Sequence, residues 1–85
     1  MTWGLVITKP AARALRDLPR DDAHTIDAVF EEMRTDPYSG DIKFLKGTER
    51  VLRRRVGAWR ILLDVDPEKR IVIILGIVRR SSHTY

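Results

Sequence analysis

Four arginines lie close together in the second half of the chain: Arg53, Arg54 and Arg55 are consecutive, and Arg60 follows on the next apolar segment. A guanidinium group stays charged at physiological pH and binds phosphate oxygens through two parallel hydrogen bonds. The flanking residues are apolar and β-branched, which is typical of a strand. Burial of these arginines would be costly without a partner. The cluster therefore indicates a site for a phosphate-bearing ligand, and nucleic acid is the class we favour.

The alternative is a solvated sheet face on which arginine prevents edge-to-edge aggregation. One or two such positions would fit that role. By alternation, four guanidinium groups can meet at one concavity, those of Arg53, Arg55, Arg60 and one of Arg79 and Arg80. They would repel each other, which is easier to explain if an anion binds between them. The anion-binding interpretation is therefore the stronger of the two.

The charge distribution also indicates a polyanionic or acidic partner. The net charge of the whole chain is +4, but residues 1–42 hold five Lys/Arg and eight Asp/Glu, a net charge of −3. Residues 43–80 hold eleven Lys/Arg and four Asp/Glu, a net charge of +7. A surface kept soluble by basic residues would explain the total, but the clustering favours a binding face.

Length and composition exclude several other classes of protein. The 85 residues suffice for one domain, residues 1–85. Because cysteine is absent and His24 and His83 are far apart, we expect neither a disulfide framework nor a metal, and no other cofactor is indicated. The longest apolar run, Ile71 to Val78, is too short to span a bilayer. With no signal-peptide pattern at the N-terminus, we expect a cytoplasmic protein.

The first half of the sequence predicts a short strand followed by two helices. Trp3 to Ile7 has the content of a strand. Thr8 and Pro10 predict a helix start, with threonine as the cap and proline in the first turn. Helical spacing of apolar residues then predicts two antiparallel amphipathic helices. Their apolar stripes are Ala11, Leu15 and Leu18, and then Ile26, Val29, Phe30 and Met33.

The second half predicts three antiparallel strands joined by short turns. These are Arg50 to Val56, Ala58 to Val65, and Arg70 to Arg80. Within the last of them, Ile71 to Leu75 is apolar on both faces, as expected of a central strand. Since two helices cover only one face of a sheet, we expect a partner to cover the other.

Side-chain alternation along these strands separates the arginines from the core. Trp59 lies on the same face as aliphatic residues of its strand, so it is predicted to pack on the helices, whereas Arg60 points to the opposite face. The opposite face is predicted to be open to solvent. Its basic residues are predicted to be Arg53, Arg55, Arg60 and one of the pair Arg79 and Arg80.

The segments ITKPAARALRDLP, FLKG, RRRVGAWRILLDVD and VRRSSHTY together resemble the RelE/ParE superfamily of bacterial toxins over essentially the whole chain. The pattern L-K-G followed by R-x-R-V-G-x-W-R carries most of the specificity. This resemblance implies an α+β fold of order βααβββ, with an antiparallel sheet and two antiparallel helices on one face. It also implies a cognate antitoxin, whose acidic or amphipathic segment would cover the open sheet face.

The superfamily divides by function. RelE-like members cleave messenger RNA in the ribosomal A site without a metal, and ParE-like members poison DNA gyrase. The resemblance favours the ribosome-dependent endoribonuclease, although arginine stands where the best-known RelE pattern has lysine at positions 53 and 55. A gyrase poison, or a non-catalytic relative that only binds its antitoxin, is the alternative. The residues that match the catalytic set are Arg53, Arg55, Arg60, Arg79 (with Arg80 as the alternative) and Tyr85.

The acid and the base of such a reaction are not decided by the residue types. Arginine is a poor proton carrier, so His83 and Tyr85 are the candidates near the basic cluster. A histidine in a polar tail can also be merely solvated, and a terminal tyrosine can pack on the sheet. Lys46 and Arg80 are candidate phosphate-binding residues, although Lys46 could equally well border a loop.

Overall fold

The computed structural model describes residues 2–48 and 50–79. The predictions for Arg80, His83 and Tyr85 therefore lie outside the described residues. No helix in the described part of the chain is long and apolar enough to cross a membrane. The elements are β1 (Gly4–Ile7), α1 (Lys9–Arg16), α2 (Arg20–Thr35), β2 (Ile42–Phe44), β3 (Val51–Val56), β4 (Trp59–Asp66) and β5 (Ile71–Arg79).

The strands form one five-stranded sheet in the order β1-β5-β4-β3-β2. The predicted α+β fold is confirmed, with two corrections to the sheet. First, β1 pairs with β5 in parallel, so the sheet is mixed. Helices follow β1, and no hairpin turn forces an antiparallel direction on it. Second, the three-residue strand β2 pairs with β3 and is absent from the predicted order; it is too short to show a period in the sequence.

The core lies between the helices and one face of the sheet. The predicted apolar stripe of α2 is confirmed, since Ile26, Val29, Phe30 and Met33 are all buried. In α1, Ala11 is buried, while Leu15 and Leu18 are partly buried against the core. The predicted central strand is also confirmed, because β5 lies between β1 and β4. The sheet residues that complete the core are Leu52, Ile61, Leu63, Val72, Ile74 and Ile77.

A β-bulge interrupts the pairing of β4 with β5. Leu62 pairs with Gly76 but Leu63 pairs with Ile74, so Leu75 has no partner in the register. A bulge shifts the alternation of side chains by one residue. Val72 and Ile74 face the core before the bulge, and Ile77 faces it afterwards.

Thr8 binds the backbone of β5 at this bulge and does not cap α1 with its side chain, as the sequence had predicted it would. Its backbone N–H donates to the carbonyl of Ile74 at 3.1 Å, and its hydroxyl lies 2.8 Å from that oxygen and 3.2 Å from the carbonyl oxygen of Leu75. Thr8 does precede α1, but its side chain makes no capping hydrogen bond. The prediction of a threonine side-chain cap is therefore wrong, because the hydroxyl interacts with the irregular part of β5.

Candidate functional site

Four basic side chains share the sheet face that points away from the helices. They alternate with Ile42, Leu52 and Ile61, which pack in or against the core. Lys43 lies opposite Arg53 in the register of β2 and β3, and Arg55 lies opposite Arg60 in that of β3 and β4. We call Lys43, Arg53, Arg55 and Arg60 the basic face.

The pairing of Arg55 with Arg60 is unfavourable in the free protein. Like charges directly opposite each other on neighbouring strands destabilise a sheet. In addition, Nε of Arg55, Nε of Arg60 and Nη1 of Arg53 are buried without a hydrogen-bond partner among the described residues. A buried donor left unpaired costs about 1–3 kcal/mol. The basic face thus groups guanidinium groups whose N–H donors are not all satisfied within the described residues.

Arg53 lies on the predicted face of the sheet. The sequence predicted that this side chain would face solvent, but the structure buries it. Its exposed fraction is only 6%. Because β3 is an interior strand, Lys43 on one side and Leu62 on the other lie directly opposite Arg53. Among the described residues, the carboxylate within 4 Å is that of Asp41, whose Oδ1 is 3.6 Å from Nη1 of Arg53. The prediction that Arg53 is open to solvent is therefore wrong.

Asp41 is a component of the site that sequence reasoning missed. It precedes β2, and its Oδ2 is 3.9 Å from Nε of Arg55 in addition to its contact with Arg53. Both distances exceed the usual range of a hydrogen bond, so the carboxylate balances charge without occupying the guanidinium donors. The sequence signal was weak, namely a single acidic residue in a loop.

Arg54 points to the opposite face of the sheet, because successive side chains of a strand alternate between its two faces. Only 8% of the residue is exposed. Its Nη1 donates to the carbonyl of Ser39 at 3.0 Å, and its Nη2 lies 3.6 Å from a carboxylate oxygen of Glu32. Arg54 therefore holds the loop that joins α2 to β2 and does not face a ligand on the basic face.

The structure does not bring Arg79 to the basic face. Arg79 lies opposite Trp59 in the register, and its guanidinium carbon is 5.7 Å from the centre of the indole ring. The bulge at Leu75 causes this placement, because it shifts the later residues of β5 by one position. Trp59 itself packs against the core, as predicted, and its Nε1 donates to Asp22 at 3.0 Å.

Lys46 is exposed in the connection between β2 and β3. This connection meets β3 at Val51, whereas Arg55 and Arg60 pair near the other end of that strand. The structure therefore does not group Lys46 with the arginine pair. The remaining candidates, Arg80, His83 and Tyr85, lie outside the described residues. Within residues 2–48 and 50–79, no group of three or more His, Asp or Glu residues could hold a metal ion.

Comparison with known proteins identifies the family of this basic-faced sheet. Residues 5–83 match the family described as the ParE toxin of the type II toxin–antitoxin system parDE. The chain belongs to the RelE/ParE superfamily of type II toxins. A curated relative, provisionally named toxin RelE1, from Methanocaldococcus jannaschii is 35% identical over 85 residues, which cover 96% of this chain and 94% of the relative. The family predicted from the sequence is thus confirmed.

Solved structures of RelE–RelB complexes share the fold. The toxin–antitoxin complex RelBE2 from Mycobacterium tuberculosis contains a chain that is 28% identical, with a TM-score of 0.77 and coverage of 94% of this toxin and 100% of that chain. The archaeal RelE–RelB complex from Pyrococcus horikoshii OT3 contains a chain with a TM-score of 0.84 at 24% identity, with coverage of 98% and 100%. The matching family is that of the ParE toxins, whereas these relatives are named RelE.

Proposed function

We propose that this toxin is a ribosome-dependent endoribonuclease that cleaves messenger RNA without a metal. The observation that carries the proposal is the opposition of Arg55 and Arg60, with Arg53 beside them and with buried N–H groups that find no partner among residues 2–48 and 50–79. A sheet tolerates such an arrangement more readily when an anion binds between the guanidinium groups. An RNA backbone supplies phosphates at a regular spacing.

The reaction is an attack of the ribose 2′-hydroxyl on the adjacent phosphate. A bond forms between the 2′-oxygen and phosphorus, and the bond between phosphorus and the 5′-oxygen breaks, which leaves a 2′,3′-cyclic phosphate. The basic face stabilises the charge that develops on the pentacoordinate phosphate. Tyr85 accepts the proton of the 2′-hydroxyl and His83 donates one to the leaving oxygen, or the two roles are reversed. Arg80 contributes a further phosphate contact.

The rate of a single round of cleavage on programmed ribosomes tests this proposal. Replacement of Arg55 by glutamine should reduce the rate by about 10²- to 10³-fold, the usual effect of removing one transition-state donor. Arg13→Gln is the matched control, since Arg13 is an exposed arginine of α1 and the change in net charge is the same. Equal rates for the two variants would contradict the assignment of the basic face.

A DNA gyrase poison is the second candidate. It is favoured by the match to the ParE toxin family. It is also favoured by the placement of Arg79 over Trp59, because this arginine is then missing from the basic face that cleavage would use. A gyrase poison would leave messenger RNA intact and produce gyrase-linked DNA breaks when the toxin is expressed without an antitoxin. The same expression experiment therefore separates the two candidates.

We also propose that a cognate antitoxin covers the open sheet face with an acidic or amphipathic segment. Next to the basic face, the same side of β1 and β5 exposes apolar side chains: Val6 is 48% exposed and Val78 is 44% exposed. The M. tuberculosis and P. horikoshii relatives were both solved as toxin–antitoxin complexes. A partner that is apolar at the centre and acidic at the rim would match this surface.

An affinity measurement tests the antitoxin surface. Val78→Asp should weaken antitoxin binding by at least about tenfold, because it places a carboxylate in an apolar contact. Leu45→Asp is the control, since Leu45 is also an exposed apolar residue but lies in the connection between β2 and β3. If only Leu45→Asp weakens binding, the antitoxin covers a different surface.

A further inference from the structure

The three consecutive arginines divide between the two faces of β3, and Asp41 connects them. We propose that Asp41 is a positioning residue, whose carboxylate holds the guanidinium groups of Arg53 and Arg55 in place for a phosphate, and that Arg54 fixes Asp41 from the opposite face. The inference rests on the proposed function, which it deepens. It also explains why a third arginine lies between two that face the ligand.

The loop that carries Asp41 is fixed directly by β3. The carbonyl of Asp41 accepts the backbone N–H of Arg55 at 2.9 Å, and the carbonyl of Ser39 accepts Nη1 of Arg54 at 3.0 Å. Gly40, between them, has φ of +79°, and a Cβ at this position would overlap the guanidinium of Arg54. The loop backbone therefore lies against the Arg54 side chain; the positive φ favours glycine, and an added Cβ would have to displace the Arg54 guanidinium.

The distances at Asp41 differ from those of an ordinary ion pair on the same sheet. Both carboxylate oxygens of Asp64 accept a hydrogen bond from Nε of Arg50, at 2.8 Å and 3.1 Å, so this N–H is satisfied. The oxygens of Asp41 remain 3.6 Å and 3.9 Å from Arg53 and Arg55. Attraction at these distances orients the two guanidinium groups, while Nη1 of Arg53 and Nε of Arg55 donate to no other group in the described part of the chain.

Replacement of Asp41 by asparagine tests the proposal, since Asp41 is exposed and the change preserves the shape of the side chain. Cleavage in a single turnover should fall by about 10- to 100-fold, because the arginines lose their orientation. Ribosome binding should stay equal or tighten, because a negative charge leaves the anion site. Asp64→Asn is the matched control, with the same change in net charge on the same sheet, and should not reduce cleavage. Wild-type cleavage by Asp41→Asn would overturn the proposal.

A second readout does not depend on catalysis. The Nε–H NMR signals of Arg53 and Arg55 should move toward the averaged position of mobile arginines in Asp41→Asn, and inorganic phosphate should restore part of their dispersion. Unchanged signals would overturn the positioning role. If the wild-type toxin does not cut messenger RNA at all, the proposed function is wrong, and these signals still decide the role of Asp41.

The contribution of Arg54 is tested by a double-mutant cycle. Arg54→Lys keeps the charge but loses the forked contact with the carbonyl of Ser39. If Arg54 acts through Asp41, the double variant with Asp41→Asn should cleave no more slowly than the slower single variant. Losses that multiply would overturn this part of the proposal. Should Arg54→Lys not fold, Gly40→Ala displaces the same loop and replaces it in the cycle.

Discussion

The basic face should lower the free energy of unfolding of the free toxin, and replacement of Arg60 offers the clearest test. Arg60 lies opposite Arg55, is half-buried, and has an Nε without a hydrogen-bond partner among the described residues. Methionine has a similar unbranched length and preserves much of the packing of the arginine stem. We therefore expect Arg60→Met to stabilise the isolated toxin while it reduces cleavage.

The magnitude follows from two contributions. Removal of an unpaired buried donor should raise the free energy of unfolding by about 1–3 kcal/mol. Removal of a like-charge pair across two strands should raise it by about 0.2–1 kcal/mol. Some packing is lost, so the net increase in the free energy of unfolding should be about 1 kcal/mol. In a domain of this size, that corresponds to a rise of about 4–8 °C in Tm.

Urea unfolding at low and high salt measures this effect. The gain should shrink as salt increases, because the part that comes from repulsion is screened. Arg50→Met is the matched control: it removes the same charge, but Arg50 is exposed and paired with Asp64, so a loss of about 0–1 kcal/mol is expected. If Arg60→Met destabilises the toxin more than Arg50→Met does, Arg60 is a structural residue and the argument for an anion site fails.

Three further predictions concern the site and its loop. The affinity of the toxin for RNA should fall steeply with salt, and Arg55→Gln should reduce the slope of log K against log salt by about 0.7, the value for one phosphate contact on a single strand; an unchanged slope would mean that Arg55 touches no phosphate. Gly40→Ala should destabilise the protein more than Gly47→Ala in thermal unfolding, because both glycines have positive φ but only a Cβ at position 40 meets a neighbouring side chain; equal losses would argue against the close approach of the loop. Tyr85→Phe should lower the single-turnover rate of cleavage by roughly 10²- to 10⁴-fold with ribosome binding preserved. A loss of rate confined to His83→Ala would make histidine the proton carrier. No loss in either variant would mean that the arginines act by electrostatics alone.

Much of the fold could be predicted because regular periodicity marks its elements. The apolar stripe of α2 has a helical period, and β3 and β4 are joined by the two residues Gly57 and Ala58, so that Val56 pairs with Trp59. A turn this short fixes the register of a hairpin. Simple alternation therefore placed Arg53, Arg55 and Arg60 on one face. The direction of β1 and the short strand β2 depend on tertiary pairing and could not be predicted in this way.

The parts of the site that sequence reasoning missed depend on irregular or distant contacts. The bulge at Leu75 reverses the alternation of β5, so Arg79 lies beside Trp59; Gly76 was the only local signal. The burial of Arg53 comes from side chains on two neighbouring strands. The contacts of Asp41 require the α2–β2 loop to return to β3, and no local pattern encodes this return.

Mapping of messenger RNA ends on ribosomes tests the central claim most directly. Purified toxin is added to translating ribosomes, the 5′ ends of the messenger RNA are located by primer extension, and the 3′ ends of the upstream fragments are analysed for a 2′,3′-cyclic phosphate. We predict toxin-dependent cuts within the A-site codon that end in a cyclic phosphate and that are lost in Arg55→Gln but kept in Arg13→Gln. The account would be contradicted if messenger RNA stays intact on ribosomes treated with a toxin that arrests growth, and if cells that express this toxin show gyrase-linked DNA breaks.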